Sequence, residues 1–518
     1  MKRIYITALA LAAVLPMAAQ ETYENAKIAT EDLNGTARYV GMGGAMEALG
    51  ADISTIGTNP AGIGLFRKSS ASFSFGLNSQ EDAADFVGAN KTRMSFDQIG
   101  FVYATRSGNN SFLNFGFNFH KSRNFDYILS AAGGLRGASQ NKLTYAKAKN
   151  GLLFEENNDG SPNPDHSYIT CNQLDYMYSD YVNYDAGEGM WYYEEANSYS
   201  LNRHHKGYVG EYDINLSGNI NNKVYLGMTI GFSDVNYKHY GEYAELLADG
   251  DRQVVSDNRE ITGTGVNVKA GIIFRPIEES PFRVGISVAT PTWYTLESWN
   301  STSISRKGNY NFSTSQSENY KFKLYTPWKF GLSAGHTVGN YLALGLSYEY
   351  ADYGSLDTRY ITDEYYDYWY DTYETESESD LVMNRHTDQT LKGVSTLKVG
   401  AELKPAPELA IRVGYNYVSP MYQSEGFKDG TLATDGSYYS TATDYTNWKA
   451  TNRITCGIGY TIGQLNLSAA YQYSTSKGDF SPFMNYWDDA TAADDNVASS
   501  VEISNKRHQL LFTLGYTF

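Results

Sequence analysis

Along much of this chain, apolar and small polar side chains alternate with a period of two. In residues 341–350 one face carries Leu342, Leu344, Leu346, Tyr348 and Tyr350, and the other carries Tyr341, Ala343, Gly345, Ser347 and Glu349. Residues 224–232 set Val224, Leu226, Met228, Ile230 and Phe232 against Tyr225, Gly227, Thr229 and Gly231. Residues 409–417 set Leu409, Ile411, Val413, Tyr415 and Tyr417 against Ala410, Arg412, Gly414 and Asn416. Successive side chains of a strand point to opposite faces, so each segment is a strand with one greasy face. A soluble sandwich and a barrel in lipid both alternate this way, and loop lengths separate them. Fourteen strands are predicted, near 69–80, 91–106, 110–122, 206–220, 222–240, 260–276, 281–299, 318–337, 340–353, 391–404, 407–420, 447–462, 464–476 and 506–518. Tight links sit at 106–109, 219–223, 276–281, 337–340, 404–407 and 462–464, with long polar connections between them, the largest about 121–205. Short turns at one end and long loops at the other are the pattern of outer-membrane barrels. An even strand number returns both barrel ends to the periplasmic side.

Further features agree. The apolar face often ends in tyrosine or tryptophan (Tyr348, Tyr350, Tyr471, Tyr473, Trp293), rings whose polar tip suits the headgroup region. Past the first twenty residues no run of ~20 apolar residues occurs, which excludes a helical membrane protein. In the last strand His508, Leu510, Phe512, Leu514, Tyr516 and Phe518 share one face. A terminal aromatic such as Phe518 resembles the sorting signal read by barrel-insertion machinery, an expected partner. Closing the barrel is what satisfies a sheet's backbone in lipid.

Lys2 and Arg3, the apolar stretch Ile4 to Leu15 and the small residues around Ala18-Ala19 read as a cleaved secretory signal over residues 1–20. Export to the bacterial outer membrane is therefore expected. No cysteine follows the apolar stretch to carry a lipid. Cys171 and Cys456, far apart, are expected to be unpaired. The formal net charge of −17 argues against nucleic acid as a partner, because phosphate contacts need clustered Lys and Arg.

Residues 21–68 do not alternate. They hold Ala37-Arg38, Gly41-Met42-Gly43-Gly44-Ala45 and Asn59-Pro60-Ala61-Gly62, which read as short helical turns broken by glycine and ended by an Asn-Pro turn. Eight strands make a barrel that fills with its own side chains, whereas fourteen leave a lumen that needs a stopper. The expected organisation is an all-β, fourteen-stranded antiparallel transmembrane barrel over residues 69–518, plugged by residues 21–68.

These motifs resemble the FadL-type outer-membrane transporters of long-chain fatty acids and aromatic hydrocarbons, the FadL/TodX family. Weaker similarity lies in residues 265–271, 282–287, 398–402 and 409–415. The resemblance implies a barrel with an N-terminal hatch. Hydrophobic small molecules would enter from the extracellular side and leave through an opening in the wall into outer-membrane lipid. It implies no metal, cofactor or covalent step. Plug and gating residues would be Gly41, Gly43, Gly44, Asn59, Pro60, Ala61 and Gly62. The family's lateral opening lies beside a kink in the third strand, which here maps to Asn114, Gly116 and Asn118, where Gly116 permits a bend.

Other constellations have plainer readings. His204-His205 reads as a solvated strand entrance rather than a metal or haem site. Residues 155–166 do not complete a calcium loop, since His166 stands where a glutamate would be needed. Glu349, Lys398, Glu402 and Arg412 face the lumen and are expected to pair with one another or with the plug. Pro291 and Pro327, inside predicted strands, demand a bulge or wall irregularity. No catalytic spacing recurs, so a monomeric, plug-gated channel is expected rather than an enzyme. The alternatives are a scaffold or shuttle for secreted surface proteins, a general porin and a haemin-binding receptor. Lipopolysaccharide is an expected neighbour.

Overall fold

The alternating segments close into one antiparallel barrel. The structure, a computed structural model, describes residues 21–518 apart from 159, 278 and 369–371, and residues 1–20, expected to be a secretory signal, lie outside the described residues. Fourteen barrel strands are formed among the described residues. They begin with β1 (Ser70–Gln80), β2 (Thr92–Arg106), β3 (Phe112–Asn124), β4 (Ala196–Ile220), β5 (Val224–Leu247) and β6 (Arg252–Phe274). β7 (Arg283–Ala289 and Trp293–Lys307) and β8 (Phe312–Tyr325 and Lys329–Val338) are each interrupted once. Then follow β9 (Leu342–Asp352), β10 (Gly393–Ala406), β11 (Leu409–Val418), β12 (Tyr445–Ile462), β13 (Leu465–Ser481) and β14 (Val501–Thr517). β14 returns to β1 in unbroken register from Ser70↔Thr517 to Gln80↔Arg507, which closes the sheet into a barrel.

The interruptions in β7 and β8 fall at Pro291 and Pro327, as expected of residues that cannot donate to a ladder. Threonine hydroxyls mend the break: Val268 N–H donates to Thr290 Oγ1 at 3.0 Å and Thr292 N–H to Thr326 Oγ1 at 2.8 Å.

The outer surface carries an apolar belt, for example Leu226, Met228, Ile230 and Phe232 on β5, all exposed. Just above Phe232 the polarity of the strand inverts. Asp234, Asn236 and Lys238 now point outward, while Val235 and Tyr237 point inward and are buried. Lipid bathes the lower outer face and water the upper one. β4, β5 and β6 thus continue well past the belt as paired strands, to Leu247 and Arg252. The long loops expected around residues 240–260 and 299–318 are instead extended hairpins with short tips, because polar outward residues read locally as loop.

A cap covers the extracellular end. Within the expected long loop, helix α3 (Gln140–Lys149) packs with Leu135, Tyr243 and Phe480, and α4 (Gln173–Tyr178) packs with Val255 and Ile304. Cys171 is buried there, Cys456 faces outward on β12, and both are free thiols. The segment before β1 folds as α1 (Thr22–Ala29), α2 (Ala37–Gly41) and two 3₁₀ turns, Ile53–Gly57 and Pro60–Leu65, and is almost wholly buried inside the barrel.

Candidate functional site

The inner segment is seated on glycines. Gly335, Gly345, Gly400 and Gly414 lie side by side across β8, β9, β10 and β11. A Cβ on Gly345 would collide with Ala45 O, on Gly400 with Met42 O, and on Gly414 with Gly43 N. The backbone of residues 42–49 thus lies directly on the barrel wall. Gly227 and Gly271 do the same for Pro60 and Asn59. Within the inner segment, Gly43 and Gly44 have φ of +63° and +81°, a turn that L side chains resist. Asn59 caps the second 3₁₀ turn, its Oδ1 accepting from Ala61 N–H at 3.2 Å, and Pro60 O accepts from Ser217 Oγ at 2.8 Å. Gly62 O accepts from Ala51 N–H at 3.1 Å, tying the two turns together. Gly41 approaches Gly457 on β12. All seven residues expected to form the plug and gate therefore lie in one buried, tightly seated unit.

Ion pairs reinforce the seat. Glu47 accepts from Lys398 Nζ at 2.8 Å and bonds Ser347, and Lys398 also lies 3.6 Å from Glu349. Glu402 accepts from Arg38 and from Arg412. Glu31 pairs with Lys329. Buried carboxylates such as Glu47 and Glu402 persist only with partners, so the inner segment's charges and the wall's are a matched set.

Above this seat lies a cavity of about 300 Å³, at the lower end of ligand-pocket volumes. Its lining is amphipathic. Leu33, Phe125, Val418, Tyr422 and Trp448 supply apolar surface, and Arg123, Arg453 and Arg507 supply cations. α1 forms part of the wall between cavity and cap. Tyr23 stacks on Tyr422 with ring centroids 5.1 Å apart, and Thr22 Oγ1 lies 3.0 Å from His386 Nδ1 on α5 (Leu381–Thr390).

At one side of the cavity the barrel ladder is open. β2 and β3 pair from Arg106↔Phe112 to Gln98↔His120, and there the ladder stops, although β2 continues up to Thr92 along β1. β3 shifts register against β4 between Lys121 and Arg123. The inner segment enters the space β2 leaves. Asp32 N–H donates to Ser122 O at 2.7 Å, and Asn124 N–H donates to the Asp32 carboxylate at 3.0 Å. Asn34 Nδ2 donates to Lys121 O at 3.2 Å and to Asp97 Oδ1 at 3.1 Å. Leu33, Asn34, Ser122, Arg123 and Asn124 line the cavity as well, so cavity and gap are continuous.

This gap lies apart from Asn114, Gly116 and Asn118, the position expected for an opening. Across Asn114, Gly116 and Asn118 the ladder is unbroken on both sides of β3. Asn114 points inward and donates to Ile63 O at 2.6 Å and Phe66 O at 3.1 Å, Asn118 Oδ1 accepts from Gln98 Nε2 at 2.9 Å, and Gly116 faces Ile56 and Ile63. These residues anchor the inner segment. The irregularity of the third strand falls at Ser122, where its register against β4 shifts and its ladder with β2 has ended.

Sequence reasoning also missed two polar clusters. His120, Glu211 and Asp213 bring possible ligand atoms within 4.8 Å of one another. Lys269 Nζ lies 2.7 Å from Glu211 and 3.2 Å from Asp213, so an ammonium already supplies the charge a cation would. The two adjacent histidines part company: His204 sits under Phe86, whereas His205 faces inward, its Nδ1 2.7 Å from Tyr237 Oη. Tyr237 donates to Glu24 of α1 at 3.1 Å, and the ring of His239, itself 3.2 Å from Asp257, lies 5.1 Å from that of His205. In this region above the lipid belt, burial and the nearby Lys27 hold His205 well below the usual imidazole range. Burial also lowers His239, against the pull of Asp257. Burial pushes Glu24 up, but Lys27 and Arg259 outweigh it and hold the carboxyl well below its usual range.

No family model and no curated protein matches the chain. Among solved structures it is similar to a Pseudomonas aeruginosa FadL homologue over 95% of this chain and 100% of that one, at 11% identity and a TM-score of 0.50. The Ralstonia pickettii toluene transporter TbuX (12% identity, 94% of this chain and 99% of that one, TM-score 0.48) and the P. putida toluene transporter TodX (11%, 94%, 99%, 0.48) also match. The fold is thus FadL-like, a fourteen-stranded barrel, and its outward apolar belt places it in the outer membrane.

Proposed function

We propose that the protein is a monomeric channel that passes hydrophobic and amphipathic small molecules, such as long-chain fatty acids, from the extracellular side into outer-membrane lipid. The observation that carries this reading is the continuity of the amphipathic cavity with the gap between β2 and β3, a gap occupied from the inside by the segment Asp32–Asn34. The solved structures of similar fold include a FadL homologue and toluene transporters, which fits the same role. The ligand loses water among the apolar lining residues, the inner segment shifts on its Asn59-Pro60 turn, and the ligand leaves sideways. A lateral exit spares an apolar tail from the wet axial path. It also explains why the seat below the cavity is packed with ion pairs rather than open.

Transfer of each methylene from water contributes about 0.8 kcal/mol. Uptake by cells lacking the gene and complemented with it is therefore expected to rise with acyl chain length. Uptake that is flat from short to long chains, or unchanged by deletion, overturns the reading.

A further inference from the structure

We propose that Asp32 is an internal stand-in for the anionic group of the transported amphiphile, and that the ligand opens the wall by replacing it. The inference rests on the transport reading above and adds to it a head-group site and a trigger.

Three guanidinium groups meet one carboxylate beside the gap. Asp32 Oδ1 lies 2.9 Å from Arg123 Nη1 and 3.5 Å from Arg453 Nη2. Arg507 lines the same cavity, and its Nη2 donates to the main-chain carbonyl of Asp126 at 2.6 Å rather than to an acid. The Arg453 side chain is only 9% exposed, and Arg123 Nε is buried with no hydrogen-bond partner among the described residues. Positive charge is thus in excess where the cavity reaches the wall, and donor capacity is left over. An arginine cluster suits carboxylate and phosphate oxygens, which accept several N–H bonds at once.

The same carboxylate is the latch of the gap. Through its main chain and side chain Asp32 takes up Ser122 O and Asn124 N–H, and it places Asn34 between Lys121 and Asp97. Removing Asp32 from the arginines without replacement strands buried cations, which is costly. Exchange for another anion keeps Arg123, Arg453 and Asn124 N–H satisfied, and burial of the ligand's tail then drives the swap. A neutral molecule of equal length cannot make that exchange. Head-group recognition and wall opening are therefore one event.

The test uses the full mature chain in lipid nanodiscs and three probes of one chain length: hexadecanoate, hexadecyl phosphate and hexadecanol. Affinities are measured by competition, and amide exchange is followed over residues 30–36. Hexadecanoate is expected to bind at least about tenfold more tightly than hexadecanol, and to speed exchange over 30–36 where the alcohol does not. The phosphate arm distinguishes a site for fatty carboxylates from one for phospholipid-like anions, and either preference over the alcohol supports the latch. Asp32→Asn, nearly isosteric, is expected to raise anion affinity about fivefold and leave hexadecanol unchanged, since the internal competitor is gone. Arg453→Gln is expected to bring the anions down to the level of the alcohol. Equal binding of hexadecanoate, hexadecyl phosphate and hexadecanol, or an Asp32→Asn variant that changes none of them, overturns the latch while leaving the transport reading intact. Failure of all three probes to bind overturns both.

Discussion

Arg38 of the inner segment and Arg412 of the barrel wall share one carboxylate, that of Glu402. Arg38 Nε and Nη2 lie 3.0 and 3.1 Å from it, and Arg412 Nε lies 2.6 Å away. Glu402 and Arg412 are buried, while Arg38 is partly open to water. Glu402→Ala leaves two guanidinium groups facing each other and is expected to cost about 3–5 kcal/mol. Arg38→Ala keeps the Glu402–Arg412 pair and is expected to cost less. Thermal unfolding of the two variants in detergent checks the order, and equal losses contradict it.

Close packing of the inner segment on glycine makes a second prediction. A methyl group on Gly345 or Gly414 has no room beside Ala45 O and Gly43 N, so the segment must lift from the wall. Gly345→Ala and Gly414→Ala are expected to raise open-channel conductance in planar bilayers while the folded barrel keeps its shifted gel mobility. Unchanged conductance in both variants contradicts the seat as described.

Asn114 is expected to act as an anchor. Its side chain satisfies the carbonyls of Ile63 and Phe66 at the end of the second 3₁₀ turn. Asn114→Ala is expected to destabilise the protein by about 1–3 kcal/mol, the usual cost of stranding buried polar groups. Amide exchange over residues 60–66 should rise with it. A variant that is as stable as the parent but altered in lateral release would restore Asn114 to the opening.

The barrel was readable because lipid and lumen impose a strict two-residue rhythm, and all fourteen strands fall near their predicted positions. What was not readable has identifiable causes. In β5 the outside changes from lipid to water between Phe232 and Asp234, so the greasy face switches sides and the strand looks as if it ends early. The gap at Ser122 is filled by Asp32, some ninety residues away in sequence, and leaves no local mark. Gly116 suggested a bend, but it lies in an unbroken ladder and faces Ile56 and Ile63. The motif residues Gly43, Gly44 and Asn59 were legible because positive φ and helix capping restrict residue type locally.

The link from Glu24 through Tyr237 to His205 and His239 makes the docking of α1 sensitive to acid. Both imidazoles titrate below their free value when α1 is docked, so the undocked state binds protons first. Docking is fully favourable above the free-histidine value of about 6.5 and weakens as pH falls through it toward the lower docked values. Amide exchange over Thr22–Ala29 is expected to speed up between neutral pH and about pH 5, and His239→Gln to blunt the effect. Exchange that is independent of pH over this range contradicts the coupling.

On the proposed route, ligand leaves laterally through the gap between β2 and β3. Asn34 Nδ2 and Asp97 Oδ1 lie 3.1 Å apart across it, so cysteines at these two positions, in a chain with Cys171→Ala and Cys456→Ser, can be joined by a short bis-methanethiosulfonate crosslinker that locks the inner segment in place. Uptake of a long-chain fatty acid by cells expressing this variant should stop on crosslinking and return on reduction. Full uptake with the crosslink formed would show that ligand leaves by another route.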